Sequence, residues 1–491
     1  MCTWPANNHR VHRMPRAAAV LAAVASLAGC MVGPDFTRPP APHVSGFVAT
    51  DATAGAWTGG GQTQALSASE PLTRDWWTRF GSRAIDSTVG DALTGSPTLD
   101  LAEATLRRSE HALRAGEGIF FPQADAQAGA SRQRDTPLRT GQALPASIFN
   151  LYTLSATVSY TLDLWGGERR QVEALAADVD AQRQALAGAY LMLTANVVNT
   201  MVARAAYRDE AVATREMIGL LGEQIRLTRA QVTAGAAAYV AVLTLESQRA
   251  SLEATLPALD QKRAQADDLL ALLAGRYPAD WQTPDLSLDR IALPASLPDT
   301  APSSLVRRRP DILQAEAQLH VASAQVGVAT AALYPNLTLS ASGGFDSIVA
   351  GRLFAPAGRA WSVGAGLTAP LFHGGTLLNQ RRAAQDAYDE AGATYRQVVL
   401  SAFSQVADTL RALANDATAL DAQARAMAAA RDALTLTQAG YDAGISGYVQ
   451  LLVADVQYHQ ARLAWLQAVA QRLQDTVAFY VALGGGWGDA G

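Results

Sequence analysis

The stretch 153-TLSATVSYTLDLWGGERRQVEALAADVDAQRQALAGAYLML-193 changes period in its middle. Between Thr153 and Leu164, Leu, Ala, Val and Tyr alternate with Thr and Ser, the two-residue period of a strand with one apolar face. After Trp165-Gly166-Gly167 the apolar positions move to Val172, Leu175, Val179, Leu186 and Leu193. That 3-4 and 7 spacing is a coiled-coil seam. No proline occurs from Glu168 to Val232, so one helix there would reach roughly 100 Å, against about 11 residues for an average helix. The seam resumes after a turn at Gly235, with Val242, Leu245, Leu252, Leu256 and Leu259. Residues 184–203 carry no charge and are long enough to cross a bilayer. Thr194, Asn196, Asn199 and Thr200 argue instead for a helix buried in an assembly.

Working outward, the same device occurs twice. Phe121-Pro122 matches Tyr334-Pro335 213 positions on, while Trp165-Gly166-Gly167, Gly235 and Gly275 match His373-Gly374-Gly375, Gly444 and Gly484 at offsets of 208 to 209. Each half reads helix, strand, strand, very long helix, helix. Between them, Pro278, Pro284, Pro294, Pro298, Pro302 and Pro310 mark an irregular connector. The expected organisation is residues 1–29 signal peptide, 30–95 N-terminal extension, 96–275 first repeat, 276–309 connector, 310–484 second repeat and 485–491 tail.

The strands recur as Leu337, Leu339 and Ala341 against Thr338, Ser340 and Ser342, as Trp361, Val363, Ala365, Leu367 and Ala369, and more weakly from Gln123 to Ser131. A half-buried soluble sheet has the same alternation. These segments, however, approach the ~9 to 11 residues of a tilted membrane strand, and their polar face is Ser, Thr and Gly. Four strands cannot close a barrel, and open edges in lipid cost several kcal/mol per unpaired group. The edges therefore call for other copies, two giving eight strands or three giving twelve.

Arg10, Arg13 and Arg16 precede an apolar run over residues 17–27 that ends in Leu27-Ala28-Gly29-Cys30. This is a signal peptide with a lipobox, after whose cleavage Cys30 carries lipid. Met31 after the cysteine points to outward sorting, and Met14 is an alternative start. Cleavage moves the net charge from −5 to −8 and removes Cys2, leaving one cysteine and no intrachain disulfide. Of the 491 residues, 17% are charged and 49% hydrophobic, and no dense Lys/Arg block occurs. Disordered chains and nucleic-acid binders are excluded. The seven histidines show no metal-ligand spacing, and no P-loop or nucleophile-elbow pattern is present, so no enzyme and no cofactor beyond the lipid is expected.

Val32-Gly33-Pro34-Asp35-Phe36, Trp76-Trp77 with Phe80-Gly81, Arg308-Arg309-Pro310-Asp311-Ile312, Ala369-Pro370-Leu371-Phe372 and Ala482-Leu483-Gly484-Gly485-Gly486-Trp487 complete a set of motifs. Together they resemble the outer membrane factors, in the NodT/OprM-like lipoprotein branch of the TolC-like exit ducts. The resemblance implies an α+β membrane protein: a long α-helical coiled-coil barrel plus a transmembrane β-barrel of four strands per chain, shared by a homotrimer. It implies an outer membrane channel that passively conducts small molecules from a periplasmic adaptor and a proton-driven inner-membrane transporter. It also places adaptor contacts at two helical turns, here Gly235, Ala236, Ala238 and Tyr239, and Gly444, Ile445, Ser446 and Tyr448. Both turns depart from the family's Gly-x-x-Ser pattern. Where the family gate carries Leu and Asp this chain has Val449 and Val453, with Asp455 expected on another helix face. A duct for protein secretion and a lipid-anchored periplasmic coiled-coil scaffold are the alternative readings.

Overall fold

A computed structural model describes residues 31–42, 44, 46–48, 55–136 and 145–486; Cys30 lies outside them. The chain forms two compact units. One comprises residues 1–38, 108–180 and 317–393, the other residues 39–107, 181–316 and 394–491, so each draws on both sequence repeats.

The helices come in the expected order. α1 spans Arg83–Gly95, α2 Pro97–Glu117, α3 Gly167–Thr233, α4 Tyr239–Glu253, α5 Leu256–Leu273, α6 Pro302–Arg308, α7 Pro310–Ala331, α8 Thr376–Asp442 and α9 Tyr448–Ala482. α3 and α8 each contain 67 residues. Their starts and their ends are both 209 positions apart, which is the sequence duplication in backbone form. α3 ends in a Schellman turn: Gly235 has φ 76°, its N–H donates to Val232 O, and the Ala236 N–H donates to Gln231 O at 2.8 Å. Gly444 with φ 74° repeats this through Tyr441 O and Gly440 O. A left-handed residue there satisfies the last helix carbonyls, and glycine adopts it without a Cβ clash.

Two expectations need correction. The return helix of the first repeat is broken into α4 and α5, whereas α9 is continuous. Pro257 stands in the first turn of α5, where it has no N–H to donate and its ring excludes the carbonyl four residues back. The connector is not irregular throughout, since it holds α6 and a short strand at Ser296–Pro298.

In the first unit, β3 (Gln123–Asp135), β4 (Ser147–Leu162), β6 (Asn336–Ser347) and β7 (Arg359–Thr368) form an antiparallel sheet in the order β3-β4-β6-β7. The register sorts its faces. Ala124, Val158, Ala341 and Val363 share one row; Ala126, Ala156, Gly343 and Trp361 share the next on that face, and Leu162, Leu337 and Leu367 another. The opposite face carries Asp125, Thr157, Ser342 and Ser362, then Gln123, Ser159, Ser340 and Gly364. Both faces are solvent-accessible in the single chain, and among the described residues β3 and β7 have no outer neighbour.

Trp165 closes β4: its Nε1–H donates to Pro335 O at 2.8 Å and its ring stacks on Tyr334. The segment after Cys30 lies against the same unit. Val32 N–H donates to Trp165 O, Gly33 approaches Gly327 too closely for a Cβ, and Phe36 stacks on His320 at 4.3 Å. Arg170, 1% exposed, donates to Asp35 and Glu173 at 2.6 and 2.7 Å, and Glu173 also contacts His320.

The second unit holds the main core, in which Trp76, Phe80, Ile85, Val198, Met201, Leu297, Leu305, Phe479 and Tyr480 are buried. Residues 184–203 of α3 contribute to it through Leu191, Leu193, Val197, Val198, Met201 and Val202, which accounts for their apolarity without a membrane span. Around this core β1 (Ala56–Gly59), β2 (Gln62–Ser67) and β5 (Ser296–Pro298) form a small sheet absent from the sequence reading. Fully buried Arg472 of α9 ties it down, donating to Gln64 Oε1, Gly59 O and Trp57 O at 2.9 to 3.1 Å. Burial lowers its pKa. Nearby, burial and the facing Asp475 carboxyl push Asp416 up to about 7, with Arg472 pulling the other way. Arg309 explains its motif: it grips Asp311 and donates to Ala482 O, a free carbonyl at the end of α9.

Candidate functional site

The residues that the resemblance assigns to adaptor contact lie at the two helical turns after α3 and α8. Tyr239, Ile445 and Val449 are strongly exposed, at 59%, 85% and 67%, so large apolar side chains project beside the glycines. Gly235 and Gly444 have open space where a Cβ would stand, so their positive φ, not crowding, selects glycine. Ala236 and Ala238 are exposed, whereas Ser446 and Tyr448 are half-buried. Tyr448 packs on an apolar knot of Met217, Leu221, Ile225, Val242 and Leu245 that joins α3, α4 and the start of α9. This knot is separate from the main core.

Val449 and Val453 face outward on α9, while Asp455 is buried at 2% exposure. Its Oδ2 accepts from Gln224 Nε2 of α3 at 2.6 Å. Burial raises the Asp455 pKa and the Gln224 amide opposes that rise. The Tyr448 phenol is pushed up by burial, then by Asp455 and Tyr441. His459, one turn further on, is buried and shifted down by burial and by Arg462. Gln224 Oε1 and Tyr448 OH are buried without a hydrogen-bond partner. Each such group costs about 1–3 kcal/mol, so this contact is held under polar strain.

Two more contacts flank it: Tyr441 OH donates to Gln231 Oε1 at 3.1 Å, and Arg462 pairs with Glu216. The second long hairpin is thus held to α3 at three levels. Asp455 was legible as off the Val449 face, but Gln224, Gln231 and Glu216 were not, because each partner lies more than two hundred positions away. Only a covariation signal between α3 and α9 would have exposed them. Among the described residues no cluster of metal-ligating side chains occurs.

Comparison with known proteins adds to this geometry. A model of the family described as outer membrane efflux protein matches residues 88–276 and again 301–485. The chain is 31% identical over 418 residues to the pyoverdine export outer membrane protein OpmQ of Pseudomonas aeruginosa, covering 84% of this chain and 88% of that one. It is 30% identical over 466 residues to the toluene efflux pump outer membrane protein TtgC of Pseudomonas putida, covering 94% and 93%. Among solved structures, the outer-membrane channel OprN superposes with a TM-score of 0.84 at 29% identity, covering 94% of this chain and all of that one.

Proposed function

Because the chain belongs to the outer membrane efflux protein family, and is therefore the outer membrane channel component of a tripartite efflux pump, we propose that three copies close one duct and that Asp455 holds its inner end shut. The observation that carries this is the four-stranded sheet with one apolar face, one Ser/Thr/Gly face and two unpaired edges. In hydrocarbon those edges must be paired, and twelve strands leave a lumen wide enough for solute. The apolar face then meets lipid and the Ser/Thr/Gly face lines the path.

On this reading, residues 1–29 are removed, Cys30 carries lipid, and residues 96–275 and 310–484 supply equivalent helical hairpins around the Pro-rich connector. The exposed turns at Gly235, Ala236, Ala238 and Tyr239 and at Gly444, Ile445, Ser446 and Tyr448 receive a periplasmic adaptor, and a proton-driven inner-membrane transporter supplies the energy. The cargo is small molecules, as the names of OpmQ and TtgC suggest by analogy. Opening swings the start of α9 off α3. The contacts of Asp455 with Gln224, Tyr441 with Gln231 and Arg462 with Glu216 must then part, and Val449 and Val453, which line the constriction, move with them. A hydrogen bond to a charged group contributes about 1.5–3 kcal/mol, within reach of adaptor binding.

Native mass spectrometry of detergent-extracted protein combined with planar-bilayer recording tests the reading. The expected result is an acylated trimer beginning at residue 30 with low basal conductance. An unacylated monomer without conductance would refute it.

A further inference from the structure

The apolar face of the four-stranded sheet ends in arginines. Arg132 and Arg134 of β3 stand opposite Asn150 and Ile148, and Arg359 of β7 stands opposite Phe345. Side chains alternate along a strand and directly paired residues share a face. All three arginines therefore lie on the face of Ala126, Leu154 and Trp361. β3 starts just after the turn that follows α2 and runs away from it, so Arg132 and Arg134 lie at the strand end remote from the helices. Arg359 opens β7 directly after the β6 to β7 connection, at that same end.

From the row of Leu162 to the row of Leu154 this face is apolar over eight residues of β4, about 27 Å along the strand, or roughly 20 Å of height at barrel tilt. The arginines sit at and beyond the outer margin of that band. None pairs with a carboxylate among the described residues. Asp135 and Asp346, the nearest acidic positions in the strands, fall on the opposite face. Arginine on a lipid-facing surface is unfavourable near the bilayer centre and tolerated at the interface, where its planar fork matches phosphate oxygens bidentately.

We propose that Arg132, Arg134 and Arg359 form a binding site for the phosphate groups of the phosphorylated glycolipid in the outer leaflet. The inference rests on the sheet being one third of a membrane barrel. It commits to a lipid headgroup, because the site borders a surface only lipid covers and is positive on a chain whose net charge is −5. Arg132 and Arg134, two residues apart on one face of β3, hold one phosphate group, while Arg359 on the opposite edge strand holds another, so that contacts at two places on the rim pin the barrel at a fixed depth.

The test uses the purified full-length trimer in vesicles containing bisphosphorylated lipid A, or the same lipid after phosphatase treatment, with retained lipid read by native mass spectrometry. Wild type should retain the bisphosphorylated form with about tenfold preference, and the variant R132Q/R134Q/R359Q should lose that preference. R132K/R134K/R359K should keep part of it, and excess inorganic phosphate should not displace the lipid. Equal retention of both lipids by wild type, undiminished preference in the Gln variant, or full displacement by inorganic phosphate would each overturn the proposal. If the triple variant fails to assemble, the wild-type lipid comparison still decides. Loss of the heat-modifiable trimer in wild type would instead refute the barrel reading beneath it.

Discussion

Replacing Asp416 by Asn should change the pH dependence of stability more than stability itself. The Asp416 carboxyl is raised to about 7 by burial and by the facing Asp475, only partly offset by Arg472. Unfolded, it would titrate near 3.8. Between those values the folded chain holds a proton that the unfolded chain has released, so stability falls as pH rises through about 4 to 7. Three pKa units correspond to about 4 kcal/mol as an upper bound, at 1.36 kcal/mol per unit. Solvent near the half-buried pair and sharing of the proton with Asp475 reduce this to roughly 1–2 kcal/mol per protomer. Asp416→Asn keeps the shape, removes the titration and can donate to Asp475. The variant should match wild type below about pH 4, begin to exceed it by pH 5 and exceed it fully at pH 8. With an unfolding entropy of about 2.1 cal/mol/K per residue, the gain appears as an upward shift of ~1–2 °C in the melting temperature of the detergent-solubilised protein. A protonated-carboxyl infrared band titrating near pH 7 in wild type and missing from the variant reports the same proton directly. Parallel melting of both proteins from pH 5 to 8, or a variant less stable at pH 8, would refute the argument.

Other outcomes are specific enough to measure. Asp455→Ala should raise single-channel conductance at neutral pH by removing about 1.5–3 kcal/mol of contact with Gln224, and unchanged conductance would separate Asp455 from the gate. Gly444→Ala places a Cβ at φ 74° and should cost roughly 1–2 kcal/mol, whereas Gly444→Pro should abolish adaptor crosslinking; survival of crosslinking together with efflux would remove the turn from the docking end. Val158→Lys sits amid the apolar rows and should cost about 2–4 kcal/mol and reduce the folded membrane fraction, an effect a solvent-facing sheet would not show. Gly33→Val would drive a side chain into Gly327 and should speed amide hydrogen exchange at residues 32–36; identical exchange would mean that the segment is not docked in solution.

Much of this fold is legible in the sequence because two periods dominate it. The 67-residue α3 begins at Gly167 and ends at Thr233, within a residue of the uninterrupted stretch from Glu168 to Val232. The strands were found because Leu, Val and Ala alternate with Ser and Thr, although β4 and β6 run several residues beyond the alternating core. The connector hid its content for a physical reason. β5 is three residues long and is defined by pairing with β2 about 230 positions earlier, so no local period announces it. The break at Pro257 was visible as a residue, but the seam of Leu252, Leu256 and Leu259 continues through it and masked the interruption. At the candidate site the turns were readable from glycine and Asp455 from its phase on the helix. Gln224 was not, because one glutamine in a long polar helix carries no sign of its partner.

The difference between the two return helices has a mechanical consequence. α4 and α5 meet at a joint before Pro257, so a push at the first turn can be absorbed within a few residues. α9 has no joint over its 35 residues, and Arg472 clamps its far part to the small sheet. From Arg472 to Val449 is 23 residues, a lever arm of about 35 Å. A tilt of roughly 8° about the clamp carries Val449 through about 5 Å and Asp455, about 26 Å from the clamp, through about 3.5 Å, more than the reach of its hydrogen bond. The second hairpin is a rigid crank and the first a jointed sleeve, so in the proposed duct a small torque delivered at the second turn would part the Asp455 contact, whereas the same torque at the first turn would be taken up at the joint.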